Sequence, residues 1–493
     1  MYKTQDKMKI ILLIFSITLS ASSLFGSTNF IHRDGKTIVD STGNPIKLRG
    51  LNLGGWLLWE GWIWGKGYKS ETTILTRLAQ IVGDTITKEF QQQIYETFIG
   101  KDDIAAISQS CFNVVRIPIN HRLLEDDSLP YTYKQSGWNI LDSILNWCEQ
   151  YKVYAILDMH SAPGGQSSVF IADPDTTGIL LWDDENNKLR TIALWRAIAE
   201  RYKNRTIVAG YDLLNEPSEE SQLVDIYTRI IQAIREVDTN HMLILEGTNA
   251  AQNFSMLSTL LDSNMTYSFH IYTWFGEDPK AKIYAYKTIV DSYNVPMWCG
   301  EWGENRYPLV DSTKKALEDT ANELSGWSFW TWKKVINNYP CFTEIQPTAL
   351  WTKLINWINA PVLSPKPTYN EAILGMSEFI QSIKYTNNIT NDTMKTLLQV
   401  CDTTAISEKD VVTHKELLFA IFPNPVKKYL AISFAAGQND KKQIQVYNAI
   451  GVLVKSVCTN QTNIKINVAN LSKGTYFIRV KNHPQQIQKF IKQ

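Results

Sequence analysis

At 493 residues the chain is too long for one ordinary domain, and 44% hydrophobic against 20% charged is the composition of a folded rather than a disordered protein. Its 49 basic and 49 acidic side chains cancel, which excludes an electrostatic footprint for nucleic acid or an anionic membrane surface and points to a neutral partner. Sixteen Trp and 22 Tyr supply flat faces that fill a core or stack on sugar rings.

Residues 1–26 read as a signal peptide, with Lys3, Lys7 and Lys9 ahead of an apolar run over 10–19 and then the small residues Ser20, Ala21, Ser22 and Ser23. That run is shorter than the roughly 20 apolar residues of a membrane span, and no other stretch approaches that length. The six cysteines lack the spacing of a zinc site, and their pairing is not legible from order alone. We expect an exported monomer with no membrane span, no metal and no cofactor.

Turn residues at Asp34-Gly35 and Thr42-Gly43-Asn44 then flank a short β-type run, a hairpin signal. From Leu51 onward eight short apolar runs recur, the later ones at 114–119, 154–160, 210–216, 242–247, 267–272, 297–301 and 326–332, with helical stretches between them. Leu223, Ile226, Tyr227, Ile230, Ile231 and Ile234 mark one such helix face at a period of 3.6. Eight β/α units predict an α/β fold, a (β/α)8 TIM barrel over residues 27–385, with its active site at the carboxyl ends of the strands. The polar stretch 386–415 reads as a linker, and the short β-rich runs of 416–493, parted by Gly and Asn turns, predict a small all-β sandwich.

Two of the apolar runs end in a carboxylate. Tyr211 to Pro217 delivers Asn215 and Glu216 side by side before proline stops it, and Glu301 closes a run flanked by Gly300 and Gly303. Two carboxyl groups facing each other suit glycosidic bond cleavage, which needs one acid and one nucleophile or base. The other polar residues at strand ends are Arg116, His160, His270, Tyr272 and Trp330, with Trp332 as the fallback aromatic. Each alone has an ordinary structural explanation, but eight of them on one rim do not. No GxSxG elbow, P-loop or GxGxxG turn competes with them. Glu60 is either an acceptor for sugar hydroxyls or a loop carboxylate paired with a lysine, and Glu246 is a reserve carboxylate.

The motifs RGLNLGGW (49–56), NVVRIPI (113–119), ILDMHSAPGGQ (156–166), YDLLNEP (211–217), FHIY (269–272), CGEWG (299–303) and GWSFWTWK (326–333) resemble glycoside hydrolase family 5. Residues 54–60 and 160–164 are most similar to its exo-β-1,3-glucanase branch, from which the chain departs at Phe269 and at Trp62, Ile63 and Trp64. The resemblance implies a retaining β-glycosidase acting on β-glucosidic bonds of a polysaccharide or oligosaccharide. In that reading Glu216 is the acid/base and Glu301 the nucleophile. Arg116 and Tyr272 would keep Glu301 ionised, and the nearby Glu301 charge and apolar walls would raise the pKa of Glu216. Asn215 would bind the sugar 2-hydroxyl, while Glu60, His160 and His270 bind other hydroxyls and Trp330 stacks. The alternatives are a hydrolase of glucosylated lipids on the same site and a non-catalytic carbohydrate-binding barrel. The C-terminal module resembles the sorting domain of type IX secretion, through 422–425, 446–448, Gly451 and 471–477. That implies a partner in the secretion machinery and export through the periplasm to the cell surface or medium.

Overall fold

The computed structural model describes residues 30–401, apart from 175–176, 179, 338 and 400, and residues 419–493, apart from 423–424, 435–441, 449–451 and 482. The expected signal peptide and residues 402–415 of the expected linker lie outside the described residues. The chain divides into two compact units, with the boundary after Cys401.

The first unit is a closed barrel of eight parallel strands: β1 (Leu48–Asn52), β2 (Val114–Asn120), β3 (Tyr154–Ser161), β4 (Val208–Asp212), β5 (Met242–Glu246), β6 (Met265–Ile271), β7 (Met297–Trp302) and β8 (Gly326–Phe329). Neighbours in sequence are neighbours in the barrel, and β8 closes on β1. All eight strands are the ones that the apolar runs predict. Helices such as Gln135–Tyr151, Glu185–Tyr202 and Leu223–Arg235 lie between them, and Leu223, Ile226, Tyr227, Ile230 and Ile234 on the last are fully buried. Main-chain pairing and helix-on-strand packing therefore come from the same periodicity the sequence displays.

Side chains of a strand alternate between the barrel lumen and the helix layer. At the amino ends the lumen is apolar: Leu48, Val114, Ile156, Met242, Ile244 and Trp298 form one cluster with Ile31 and Ile38 from the hairpin His32–Asp34 and Thr37–Val39, which plugs the floor. One step higher the same alternation puts Asn52, Arg116, Asp158, Asp212, Glu246, Ser268 and Ser328 inside, all fully buried. Glu301 breaks the alternation, because both Trp298 and Glu301 serve the lumen. The register slips there, so that Phe269 pairs with Cys299 but His270 pairs with Glu301. Gly300 permits this bulge, since a Cβ at that position would meet Ser268 Oγ at 2.1 Å.

The polar run that reads as a linker from residue 386 is folded as far as Cys401. Ile389–Thr390 pairs with Thr343–Ile345, Asp392–Leu397 is a helix capped by Asn391, and Cys401 is disulfide-bonded to Cys111. Its polarity belongs to a solvent-facing face and to caps rather than to a free tether. No helix among the described residues is long and apolar enough to cross a membrane.

The second unit consists of a three-stranded and a four-stranded antiparallel sheet. Leu430, Ile432 and Phe434 of one sheet share a core with Ile444, Val446, Ile478 and Val480 of the other. Burial alternates along Tyr429–Phe434 and Lys442–Asn448, which makes this the small all-β sandwich.

Candidate active site

A cavity of about 270 Å³ opens at the carboxyl ends of the strands, and its walls include Glu60, His160, Glu216, Tyr272, Glu301 and Trp330. Below it Arg116 is a fully buried hub. Its Nε donates to Asp212 Oδ2 at 2.9 Å and its Nη1 to Glu301 Oε2 and Asn52 Oδ1, each at 3.2 Å. Nη2 donates to Asn215 Oδ1 at 2.9 Å and Glu246 Oε1 at 3.0 Å, and stands 3.0 Å from Asp158 Oδ2. One guanidinium thus serves four acids: burial works against its charge, but the four carboxylates together outweigh it and hold its pKa well above the ordinary value.

Glu301 receives the Tyr272 hydroxyl on Oε1 and Arg116 on Oε2, the two contacts expected from the sequence. Burial is the largest influence and pushes Glu301 above the usual carboxylate value, and Glu216 adds to that push. His270, Arg116 and His160 oppose it. Arg116 divides its charge among Asp158, Asp212, Glu246 and Glu301, so it opposes the effect of burial on Glu301 without outweighing it.

Glu216 lies on the loop that follows β4, with φ 42°, a left-handed backbone that non-glycine residues seldom adopt. Its N–H donates to Glu246 Oε2 at 2.7 Å, and its Oε1 is 2.7 Å from His270 Nδ1. One oxygen each of Glu216 and Glu301 and one nitrogen of His270 all lie within 4.8 Å of one another. A cation placed among them would have to break the His270–Glu216 hydrogen bond. Asn215 spends Oδ1 on Arg116, and its buried Nδ2 has no protein partner.

His160 Nδ1 is 2.7 Å from Asp158 Oδ2, and its ring stacks on Trp330 at 5.5 Å with 16° between planes. Trp330, joined to Thr331 by a cis peptide, faces the cavity. Trp332 lies behind it, where its indole donates to Asp103 Oδ1 at 2.8 Å and its ring stacks on Phe342. Glu60 is 3% exposed; Trp62 Nε1 donates to its Oε2 at 2.8 Å, while Oε1 is buried without a protein partner. No lysine contacts it among the described residues, and burial pushes its pKa up to about 8. Around the mouth, Tyr68 lies 5.5 Å from Phe170 and Trp274 stacks on Tyr339 at 6.2 Å, giving an aromatic rim.

All nine residues singled out in the sequence, Glu60, Arg116, His160, Asn215, Glu216, His270, Tyr272, Glu301 and Trp330, meet at this cavity or directly beneath it. Sequence reasoning missed Asp158 and Asp212. Asp158 precedes His160 by two, so the period of a strand already places both on one face. The rim residues Tyr68 and Tyr339 lie on loops and Phe170 opens a short 3-10 helix, and none of them carries a sequence signal of that kind.

Residues 39–335 match the cellulase family, glycosyl hydrolase family 5. The chain belongs to that family. It is a glycoside hydrolase. A β-xylosidase of Phanerodontia chrysosporium is 31% identical over 340 residues, which cover 62% of this chain and 71% of that protein. A protein named probable glucan 1,3-beta-glucosidase A, from Aspergillus fumigatus, is 31% identical over 353 residues, 58% of this chain and 82% of the relative. Among solved structures, a rutinosidase from Aspergillus niger aligns with 18% identity and a TM-score of 0.49, covering 64% of this chain and 98% of its own. Residues 420–493 match the secretion system C-terminal sorting domain, so this family 5 hydrolase carries a type IX export signal and reaches the cell surface or the medium.

Proposed function

We propose that the protein is a retaining β-glycosidase that hydrolyses β-glucosidic bonds by double displacement. The observation that carries this reading is the approach of Glu216 and Glu301 to within 4.8 Å across the cavity. Retaining enzymes hold their carboxyl groups about 5–5.5 Å apart, whereas inverting enzymes leave about 6.5–9.5 Å for a water molecule. Glu301, fixed by Tyr272 and Arg116, attacks the anomeric carbon while Glu216 protonates the departing oxygen. Glu216 then removes a proton from the water that releases the sugar. The free Nδ2 of Asn215 is the donor for the 2-hydroxyl, a contact that tightens in the oxocarbenium-like transition state. Because Glu301 is pushed above the ordinary carboxylate value, the acid limb of kcat/KM should lie above the pH at which a free glutamate ionises.

The unpartnered Oε1 of Glu60 is an acceptor for hydroxyls at the far end of the same sugar, and Trp330 stacks beneath the ring. A relative named as a glucan 1,3-beta-glucosidase supports glucose there. Aryl β-glucosides and β-glucans should therefore be cleaved in preference to aryl β-xylosides and mannans. A product profile limited to xylosides or mannans would overturn the choice of sugar.

Glu60→Gln tests this role and its thermodynamic side together. With a native pKa of about 8, Glu60 keeps a proton that the unfolded chain has released, so it lowers stability as pH rises from about 4.5 to 8. The variant should match the wild-type Tm near pH 4 and exceed it by about 2–4 °C at pH 8. Its turnover of glucosides should fall about threefold to tenfold, the effect of one hydrogen bond to a sugar hydroxyl. Unchanged turnover would remove Glu60 from the sugar site.

The sandwich is proposed to act in export alone. A chain ending before Phe419 should hydrolyse aryl glucosides at the wild-type rate and, in its native host, accumulate in the periplasm. Loss of activity on truncation, or normal export, would contradict this division of labour.

A further inference from the structure

Glu246 touches three parts of the acid/base apparatus from a position the substrate cannot reach. It ends β5, is fully buried and does not line the cavity. Its Oε2 accepts the backbone N–H of Glu216 at 2.7 Å. Its Oε1 is 3.0 Å from Arg116 Nη2 and 3.1 Å from His270 Nε2, the latter an ionic contact set off the hydrogen-bond axis. The other nitrogen of that imidazole stands 2.7 Å from Glu216 Oε1.

We propose that Glu246 is a positioning residue for Glu216: it fixes the left-handed backbone of the acid/base and, through His270, holds a protonated imidazole against its carboxyl group. The proposal rests on Glu216 being the acid/base.

The backbone half follows from sterics. Glu216 has φ 42°, and a non-glycine residue stays there only when its surroundings hold it. The carboxylate that receives its N–H is itself held at both ends. Arg116 contacts Oε1, and the Tyr227 hydroxyl brackets the Glu246 main chain by donating to its carbonyl at 2.9 Å.

The proton half follows from the charges around the ring of His270. Glu246 faces Nε2, Glu216 faces Nδ1, and Glu301 Oε2 is 3.9 Å from Nδ1. Arg116 lies behind Glu246 with Asp158 and Asp212 on its other edges, and Tyr272 and His160 stand across the cavity floor beside Glu301. Burial disfavours a charged ring, but the carboxylates, Glu246 foremost, hold the imidazole well above its ordinary pKa. His270 Nδ1 and Glu216 Oε1 stand 2.7 Å apart, so a proton can pass directly between the ring and the carboxyl group. The proton passes from Glu216 to the leaving oxygen in the first step and returns from water in the second, so the cycle balances. A negative charge at Glu246 favours the protonated ring of His270 and so keeps a proton within reach of Glu216 at higher pH.

Glu246→Gln retains an oxygen for the Glu216 N–H and removes only the charge. The kcat/KM of this variant on an aryl β-glucoside should fall about tenfold or more at pH 8 and less than about threefold at pH 5. That moves the alkaline limb down by about one unit. An equal loss at every pH would show a packing role only and would overturn the proton half. Nitrogen NMR of histidine-labelled wild-type protein, with the His270 signals assigned by their loss in His270→Gln, does not depend on the folding of the variant. Both ring nitrogens of His270 should be protonated at pH 7.5, and a single neutral tautomer would overturn the proposal. If azide rescue confirms Glu216 as acid/base while the alkaline limb stays in place, the Glu246 proposal alone fails. If rescue assigns the acid/base elsewhere, both fail.

Discussion

Glu301→Gly should lose activity on the order of 10⁴-fold or more while keeping its fold, and azide should restore turnover with an inverted, α-configured glycosyl azide as product. The vacated side chain leaves room for a small anion on the face opposite the leaving group, and no covalent intermediate can form. Glu216→Ala should behave in the opposite sense. A substrate with a good leaving group needs no protonation and still glycosylates Glu301, and azide then attacks that intermediate to give the β-configured azide. His270 loses its Nδ1 partner in this variant but keeps Glu246 on Nε2, so the pocket that receives azide keeps its shape. NMR of the two azide products reads both roles, and an α product from the Glu216 variant would exchange them.

Arg116→Met should be the most destabilising single change at the site. It leaves Asp158, Asp212, Glu246 and Glu301, each now within 3.2 Å of the guanidinium, buried together without their cation. Breaking a buried pair by removing one partner costs about 3–5 kcal/mol, and four acids share this one. Without Arg116 the native pKa values of Asp158, Asp212 and Glu301, already raised by burial, rise further and that of Glu246, now lowered, rises too, so the native state binds protons that the unfolded chain has lost. Stability then falls as pH rises through the carboxylate range and beyond. Thermal unfolding should show a Tm deficit of about 10 °C at pH 8 that narrows towards pH 5. A deficit independent of pH would mean that Arg116 acts through packing rather than charge.

The barrel was legible because its strands are buried on both faces and read as continuous apolar runs, and because Asn215, Glu216 and Glu301 stand out as polar residues at or just beyond the carboxyl ends of two of them. The acids beneath the site were less legible. Asp158 and Asp212 sit inside apolar runs, where a polar residue looks like an interruption until the alternation of the strand is followed inward. Glu246 looked spare because its partners, the Glu216 N–H and His270 Nε2, come from β4 and β6 and meet only when the barrel closes. Arg116 and Tyr272 were legible as partners of Glu301, but the sequence does not show that three other acids share the same guanidinium. Polarity over 386–401 suggested a tether, whereas the Cys111–Cys401 bond joins positions 290 residues apart, a pairing that order alone does not disclose.

The most direct measurement is to trap the covalent intermediate. Incubation with a 2-deoxy-2-fluoro-β-glucoside bearing a dinitrophenyl leaving group slows both steps, and deglycosylation more than can be offset, so a retaining enzyme accumulates its glycosylated nucleophile. Mass spectrometry of the digested protein should find one fluorosugar on the peptide containing Glu301 and, by fragmentation, on that side chain. A label on Glu216, Glu246 or Glu60, or protein inactivated by none of the reagent under conditions where it hydrolyses the parent glucoside, would contradict the assignment of Glu301 as nucleophile.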